Sequence, residues 1–183
     1  MFNRFFALIV LVILLPVFLV VALLIFIEDG SPIFFKQKRV GINYTFFNIY
    51  KFRSMKKNTP NVATHLLTNP HQYLLNIGKF IRKTSFDELP NLINIIRGEM
   101  VFVGPRPALY NQDDLMQFRV ATGVSKLKPG ITGWAQINGR DEISIAEKVK
   151  LEHEYLSKKS FLFDLQILVK TFTNVLFSKG VSH

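Results

Sequence analysis

The sequence predicts a single membrane-associated α/β (α+β) domain with an N-terminal re-entrant membrane helix hairpin and interfacial amphipathic helices. One observation is the apolar run Phe5–Ile27, which is interrupted only by Pro16. Another is the alternation of strand-like and helix-like hydrophobic patterns in the rest of the chain. We therefore divide the 183 residues into a membrane segment at 1–30 and a cytoplasmic domain at 31–183.

The apolar run is long enough for one helix to cross the hydrocarbon core of about 30 Å. A signal peptide is disfavoured because the run is long and no small-residue cleavage site follows it. A simple spanning helix is the plain alternative, but basic residues flank both ends: Arg4 before the run, and Lys36, Lys38 and Arg39 after it. The positive-inside rule would keep both flanks on the cytoplasmic side. A hairpin broken at Pro16, which enters and leaves by one face, satisfies both flanks.

The remaining elements follow from hydrophobic periodicity and turn residues. A polar turn, Glu28 to Pro32, leaves the membrane. We predict strands at 33–35, 45–49 and 100–103, a loop at 58–70, and helices at 71–83, 85–97, 108–121, 143–158 and 161–177. Gly98 is expected to end the helix at 85–97. The last helix carries an apolar stripe that fits either core packing or a helix lying on a bilayer; its residues are Leu162, Leu165, Leu168, Val169, Phe172 and Leu176.

Composition restricts the chemistry. The formal net charge of +10 favours polyanionic partners such as lipid headgroups, phosphorylated substrates or nucleic acid. The chain has no cysteine, which excludes disulfides, thiolate metal sites and cysteine nucleophiles. Its four histidines lack metal-ligand spacing, so a zinc site is not expected.

The adjacent carboxylates Asp87 and Glu88 are the main candidates for catalysis. Ser85 and Glu88 have the spacing of a helix-capping box, and this structural interpretation suffices for the motif in isolation. In a first helical turn the carboxylates would stay ionised, because the positive helix end lowers their pKa. An ionised aspartate is able to attack phosphorus, and a neighbouring glutamate is able to hold Mg²⁺.

Three further segments suggest phosphate binding. Arg106 lies between Pro105 and Pro107, which would hold one guanidinium in place for phosphate oxygens, although a rigid exposed turn fits equally well. Two glycines in Lys128–Gln136 would let backbone amides approach a ligand, or form a turn before a strand. The basic segments 36–39 and 51–57 suit lipid headgroups, pyrophosphate or a solvated surface.

In their order along the chain, these motifs resemble the bacterial sugar transferase family of monotopic phosphoglycosyl transferases, in particular its minimal members. The matching stretches include Pro16 in the hairpin, Lys51-Phe52-Arg53-Ser54-Met55, Asp87-Glu88-Leu89-Pro90, Gly104-Pro105-Arg106-Pro107, and Pro129-Gly130-Ile131-Thr132-Gly133 with Gln136 and Arg140. The resemblance covers nearly the whole chain. Three positions depart from the family pattern, namely Ala7, Leu15 and Glu152.

The resemblance implies transfer of a sugar 1-phosphate from a UDP-sugar to undecaprenyl phosphate, with UMP and undecaprenyl diphosphate sugar as products. This step initiates surface glycans such as capsule, exopolysaccharide or lipopolysaccharide, and later glycosyltransferases are possible partners. By similarity, Asp87 would form an aspartyl-phosphosugar and Glu88 would bind Mg²⁺. The residues expected to contact substrate phosphate are Lys51, Arg53, Arg106, Gln136 and Arg140. The enzyme would lie in the bacterial inner membrane with its catalytic domain facing the cytoplasm.

Two other classes of function fit the chain less well. A catalytically inert membrane-anchored scaffold is disfavoured by the intact Asp87, Glu88 and Arg106. A membrane-tethered nucleic-acid-binding protein is disfavoured because no recognised nucleic-acid-binding motif is present. The sequence identifies neither the sugar nor the glycan pathway, because discrimination between sugar epimers depends on a few hydrogen bonds.

Overall fold

The N-terminal apolar run folds into two helices that meet at a bend. The computed structural model of the chain describes residues 2–60, 69–139 and 143–176. Helix α1 (Phe2–Ile13) and helix α2 (Leu15–Asp29) are bent by 62° at Leu14. Pro16 lies in the first turn of α2, where a helix needs no N–H donor. The predicted break near Pro16 is therefore confirmed.

Whether one of the described helices could cross a bilayer depends on its length and apolar composition. No single helix among them has both the length and the apolar composition to cross a bilayer. The bent pair of α1 and α2 meets both criteria when the two helices are taken together.

Short strands and helices alternate in the rest of the described chain. The strands are β1 (Phe34–Val40), β2 (Phe46–Phe52), β3 (Val101–Val103), β4 (Ala108–Leu109) and β5 (Gly130–Thr132). The further α-helices are α3 (Asn76–Lys83), α4 (Asn91–Arg97), α5 (Asp113–Ala121), α6 (Trp134–Asn138), α7 (Ile145–Lys158) and α8 (Phe161–Leu176). Short 3-10 turns cover Ile42–Tyr44, Pro70–Tyr73, Phe86–Glu88 and Val124–Lys126. The chain is thus a mixed helix and sheet domain.

The strands form two small sheets. An antiparallel sheet has the order β2-β1-β4, with Phe35 opposite Lys51 and Arg39 opposite Phe47. A parallel pair joins β3 to β5, with Val103 opposite Thr132. The parallel pair places the loop after β3 beside the loop after β5, and this neighbourhood builds one wall of the site described below.

Both N-terminal helices pack on the sheet and on its covering helices. Ala7 of α1 is fully buried in a cluster with Ile49 of β2 and Ile95 of α4. Ile25 of α2 is fully buried in a second cluster that contains Phe52. The hairpin therefore shares its core with the rest of the domain, while many of its other apolar side chains are exposed.

Two carboxylates fix the point where the chain leaves the hairpin. Glu28 accepts hydrogen bonds from the backbone N–H groups of Asn76 (2.6 Å) and Ile77 (3.1 Å) at the start of α3. Asp29 pairs with the buried guanidinium of Arg53, which also donates to the carbonyl of Gly30 (2.7 Å). Gly30 ends α2 with a φ of 62°, a conformation that favours glycine. The chain therefore turns within the polar segment predicted at 28–32, and its exit from a membrane there stays a prediction.

Several predicted helix bounds are wrong. The helix expected at 85–97 is a 3-10 turn at Phe86–Glu88 followed by α4, because Pro90 cannot donate a backbone hydrogen bond. The helix expected at 71–83 begins only at Asn76, after the 3-10 turn at Pro70–Tyr73. The helix expected at 108–121 begins at Asp113, because residues 108–109 pair with β1 as strand β4. Part of the loop predicted at 58–70 lies outside the described residues.

The predicted helices at 143–158 and 161–177 are confirmed as α7 and α8, apart from small shifts at their ends. A capping box does occur in the chain, at Ser144 and Glu147 of α7, and not at Ser85 as predicted. The apolar stripe of α8 does not pack into the core, since Leu162 is 75% exposed and Phe172 is 64% exposed. Ile167 of this helix, outside the predicted stripe, is fully buried.

Candidate active site

A small, shallow cleft, open to solvent, lies between the antiparallel sheet, the turn before α4 and the loop after β3. Its polar lining consists of Arg39, Lys51, Glu88, Asn91 and Arg106. Its apolar lining consists of Ile49, Met100, Pro107, Gly130 and Ile131. Three arginine or lysine side chains around one carboxylate give the cleft a net positive lining, which suits a phosphorylated ligand.

Glu88 lies at the centre of the charges in this cleft. Lys51 Nζ lies 2.6 Å from Glu88 Oε1, and two guanidinium nitrogens of Arg106 lie 3.4 Å from the same oxygen. Burial acts to raise the pKa of Glu88, but attraction to Lys51 and Arg106 outweighs burial and lowers the pKa to about 2. The Glu88 carboxylate is therefore an anion throughout the physiological pH range.

Asp87 has the opposite shift. Burial raises the pKa of Asp87 from 3.8 to about 6, and the neighbouring Glu88 adds to the rise, while Lys51 and Arg106 partly offset it. The expected lowering of the pKa is wrong for Asp87, because burial in a short 3-10 turn outweighs the nearby positive charges. The pKa of Glu88 is lowered as expected, but by Lys51 and Arg106 and not by a helix end. Asp87 is mostly ionised at neutral pH, with a higher basicity than an ordinary aspartate.

The local chain conformation explains how two adjacent carboxylates come to differ. Ser85 has a φ of 58°, in the left-handed region, and its side chain makes no capping hydrogen bond. The chain turns tightly through Phe86–Glu88 and then enters α4 through Pro90. This turn directs Glu88 to the basic lining of the cleft, where Lys51 and Arg106 contact it.

The antiparallel sheet supplies Lys51 and Arg39. Side chains two apart on a strand share a face, and the pairing of Arg39 with Phe47 puts Arg39 on the same face as Ile49 and Lys51. All three line the cleft. Lys51 and Glu88 are far apart in sequence. Strand alternation turns Lys51 toward the cleft, and the packing of α4 on β2 brings Glu88 beside it.

Glycines allow the loop after β3 to approach β5 closely. A side chain on Gly104 would lie 2.4 Å from the carbonyl oxygen of Lys128, and one on Gly133 would lie 2.2 Å from the carbonyl oxygen of Gly104. The backbone N–H of Gly104 donates to Thr132 (2.8 Å), and that of Gly130 donates to Pro105 (2.9 Å). The glycines of segment 128–136 therefore bring backbone against backbone, beside Arg106. The turn predicted there does lead into a strand, β5.

The other predicted phosphate-binding residues lie in different surroundings. Arg53 is buried, and its guanidinium donates hydrogen bonds to carbonyl groups at the end of α2 and just after it, so its contact with substrate phosphate stays a prediction. Gln136 donates to the carbonyl of Ile131 (3.0 Å), and its buried Oε1 has no hydrogen-bond partner among the described residues. Arg140 lies outside the described residues.

Sequence analysis assigned no role in the site to four residues that line or support it, although Glu152 was noted as a departure from the family pattern; they are Arg39, Asn91, Arg119 and Glu152. Arg39 was noted only as part of a basic segment, and strand alternation with Lys51 would have assigned it to the cleft. Asn91 lines the cleft three residues after Glu88, one helical turn along. Arg119 and Glu152 are a buried ion pair on two helices, and a pairing between distant helices has no signal in a single sequence.

The donor groups of the cleft suit a hard divalent cation such as Mg²⁺. Glu88 is ionised, and Oδ1 of Asn91 is buried without a hydrogen-bond partner among the described residues. Carboxylate and amide oxygens are ligands that Mg²⁺ accepts, together with substrate phosphate. Within the described residues, no group of three or more His, Cys, Asp or Glu side chains gathers to hold a metal without such a substrate.

Comparison with known proteins identifies the family and several relatives of the chain. The bacterial sugar transferase family model matches residues 1–178. The sugar transferase EpsL of Bacillus subtilis is 43% identical over 155 residues, covering 85% of this chain and 75% of that protein. The UDP-glucose:undecaprenyl-phosphate glucose-1-phosphate transferase of Escherichia coli is 37% identical over 172 residues, 90% of this chain and 37% of that protein. The UDP-N-acetylgalactosamine-undecaprenyl-phosphate N-acetylgalactosaminephosphotransferase of Aeromonas hydrophila is 34% identical over 170 residues, 90% of this chain and 40% of that protein.

Proposed function

Because this chain belongs to the bacterial sugar transferase family, we propose that it transfers a sugar 1-phosphate from a UDP-sugar to undecaprenyl phosphate. UMP and undecaprenyl diphosphate sugar are the products, and the step begins the assembly of a surface glycan. The names of the Escherichia coli and Aeromonas hydrophila relatives support this reaction class. The observation that carries the proposal is the ionised Glu88 between Lys51 and Arg106, next to Asp87, whose pKa is raised.

Asp87 acts as the nucleophile in the first half of the proposed reaction. Its carboxylate attacks the phosphorus that bears the sugar, a bond forms from an Asp87 oxygen to phosphorus, and the bond between that phosphorus and UMP breaks. UMP leaves with the bonding electron pair. Burial of Asp87 supports this role, since it raises the basicity of the carboxylate yet leaves it mostly ionised at neutral pH.

In the second half, a phosphate oxygen of undecaprenyl phosphate attacks the phosphorus of the aspartyl-phosphosugar. The bond to Asp87 breaks, and the free carboxylate is restored. One nucleophile thus serves both halves, and the two substrates need not be bound together. Lys51 and Arg106 stabilise the negative charge on the transferring phosphoryl group, because both lie at the cleft with fixed positive charges.

We propose that Glu88, with Asn91 beside it, holds Mg²⁺ in the cleft. The ion would supply neutralisation of diphosphate charge. The low pKa of Glu88 supports this assignment, because a metal ligand of this type must be deprotonated. Removal of the ion with EDTA is expected to abolish activity and excess Mg²⁺ to restore it.

We further propose that residues 1–30 form a re-entrant hairpin in the inner membrane, that residues 31–183 face the cytoplasm, and that α8 lies on the bilayer surface. The 62° bend and the exposed apolar face of the hairpin support this placement. The acceptor's tail stays in the bilayer while UDP-sugars dissolve in the cytosol, so only a site at the interface meets both. Polyprenol lipid and membrane lipid are therefore the expected partners, together with later glycosyltransferases.

The sugar and the glycan pathway are left to experiment, because two relatives of similar identity have names with different sugars. The test is UMP release by the purified full chain in detergent with undecaprenyl phosphate, Mg²⁺ and a panel of UDP-sugars. We expect lipid-dependent release with at least one sugar, and loss of that release in Asp87→Asn. No release with any sugar from folded protein would favour the inert scaffold, and full activity in Asp87→Asn would contradict the covalent mechanism.

A further inference from the structure

We propose that Arg119 and Glu152 are positioning residues that hold the backbone of Arg106, and through it the guanidinium that faces Glu88. This inference rests on the proposed function, in which Arg106 binds the transferring phosphate. It adds a requirement beyond the residues proposed to contact phosphate, namely an ion pair on α5 and α7 behind the active-site loop.

The backbone carbonyls around Arg106 are tied to different elements. The carbonyl of Pro105 accepts from the backbone N–H of Gly130 (2.9 Å). The carbonyl of Arg106 accepts from Arg119 Nη2 (2.9 Å), and that of Pro107 accepts from Arg39 Nη1 (3.0 Å). Proline has no N–H, so this loop is unable to hold itself by a regular backbone ladder. Hydrogen bonds from β5, α5 and β1 take the place of that ladder.

Arg119 is itself held on both edges. Its Nε donates to Glu152 Oε2 (2.8 Å), and its Nη2 donates to Glu152 Oε1 (2.5 Å). Both side chains are almost fully buried, with 4% of Arg119 and 2% of Glu152 exposed. The planar guanidinium is therefore fixed by a bidentate carboxylate, and its Nη2 also reaches the carbonyl of Arg106.

A buried ion pair of this kind is a weak source of stability, because removing two charges from water is costly. Packed apolar side chains between α5 and α7 would stabilise the domain as well or better. Apolar residues would not donate a hydrogen bond, whereas Arg119 donates one to the carbonyl of Arg106, whose side chain faces Glu88. A displacement of about 1 Å at such a residue can slow an enzyme by about 10²-fold.

Arg119→Lys is the first test variant. Lysine keeps the positive charge beside Glu152, but its compact ammonium lacks the fork that reaches both the carboxylate and the Arg106 carbonyl. Measured as UMP release by the full chain in detergent, we expect kcat to fall about tenfold or more, as for other misplaced active-site groups. Arg106→Lys, which removes the bidentate phosphate donor itself, is expected to lower kcat by about 10²-fold.

The double variant Arg106→Lys with Arg119→Lys is the decisive measurement. If Arg119 acts through the guanidinium of Arg106, Arg119→Lys lowers kcat little once Arg106→Lys has removed that guanidinium. The two effects on kcat then do not multiply. Glu28→Ala is the control, because Glu28 holds the start of α3 and contacts neither Arg106 nor Arg119 in the described structure. It should lower the melting temperature and leave kcat unchanged, alone and together with Arg106→Lys.

A second variant covers the case in which Arg119→Lys does not fold. Replacing both charges, Arg119→Met with Glu152→Met, leaves no uncompensated buried charge and should fold. It still lacks the donor to Arg106, so it should be as slow as Arg119→Lys or slower. Wild-type activity in this folded variant would overturn the inference, and so would multiplicative effects of Arg106→Lys and Arg119→Lys. Absence of UMP release by the wild type with every donor would instead overturn the proposed function, and this inference with it.

Discussion

Asp87 and Glu88 are adjacent in sequence, yet their surroundings separate their pKa values. Burial raises the pKa of Asp87 to about 6, whereas Lys51 and Arg106 lower that of Glu88 to about 2 despite its burial. Titratable neighbours driven apart in this way commonly divide two chemical roles between them. The more basic Asp87 suits attack on phosphorus, and the permanently ionised Glu88 suits binding of a cation.

The pH dependence of activity is the first prediction at this scale. Asp87 must be ionised to attack, so kcat/KM for the donor should fall about tenfold per pH unit below about pH 6. Lys51 is the largest attractive influence on Asp87, so Lys51→Gln should move this limb to higher pH. A pH series of initial UMP release measures both effects. An acid limb near pH 4 in the wild type would contradict the assignment of the nucleophile.

Stability provides a second, independent prediction. The folded state binds the Asp87 proton more tightly than the unfolded chain, so stability is lost as the pH rises from about 4 to about 6. At pH 7 the buried charge costs on the order of 1–3 kcal/mol, since each pKa unit corresponds to about 1.4 kcal/mol. Asp87→Asn should therefore raise the free energy of unfolding at pH 7 and not at pH 4. Equal effects at both pH values in denaturant titrations would contradict this account.

The sequence alone identified Asp87, Glu88 and Arg106 as candidate site residues. It did not identify the side chains that contact them. Lys51 and Glu88 are 37 positions apart, and the packing of the Phe86–Glu88 turn and of α4 on β2 brings them together. The pKa of Asp87 was predicted in the wrong direction, because a capping box was assumed where Ser85 takes a left-handed conformation. Burial, which decides that pKa, depends on the whole fold.

At the scale of elements, helices with strong periodicity were the most predictable. α7 and α8 were found within a few residues of their ends, and Gly98 ends α4 as expected, with a φ of 82°. The short elements were missed or misjudged, since a two-residue strand such as β4 (Ala108–Leu109) has no periodicity of its own and exists through its partner β1. Tertiary pairing thus decided the elements that build the cleft.

The exposed face of α8 carries the prediction at this scale. Leu162 is 75% exposed in a row of apolar side chains, and such a face on a helix fits a bilayer surface. The chain has no cysteine, so Leu162→Cys can be labelled alone with an environment-sensitive fluorophore. In anionic lipid vesicles, adding lipids that carry a nitroxide quencher on the acyl chain should quench its emission. The matched site is Lys150→Cys on the charged face of α7, where no change is expected; equal responses at both sites would contradict an interfacial α8.

For the whole molecule, the sequence predicted a mixed helix and sheet domain with a broken N-terminal run, and the structure has both. The structure adds that the hairpin is packed into the domain core through Ala7 and Ile25. Carboxylates at the end of α2 tie it to α3 and to Arg53. The angle between α1 and α2 is thus supported by protein contacts, which periodicity within one segment cannot reveal.

The membrane topology follows as a prediction at the same scale. A cysteine added at the N-terminus should react with an impermeant maleimide only from the cytoplasmic side, as should Lys150→Cys in the catalytic part. Labelling is measured in intact cells and in inverted membrane vesicles. Reaction of the N-terminal cysteine from the periplasm, with Lys150→Cys reacting from the cytoplasm, would establish a spanning helix and contradict the re-entrant hairpin.

The covalent intermediate is the central claim, and mass spectrometry of the protein tests it most directly. The purified chain is incubated with Mg²⁺ and the UDP-sugar that supports turnover, without undecaprenyl phosphate, and is then quenched and digested. We predict a stoichiometric release of UMP together with a peptide that carries one sugar phosphate on Asp87, and loss of that adduct when the acceptor lipid is added. An enzyme that turns over with lipid, yet forms no adduct and releases no UMP without it, would contradict the account.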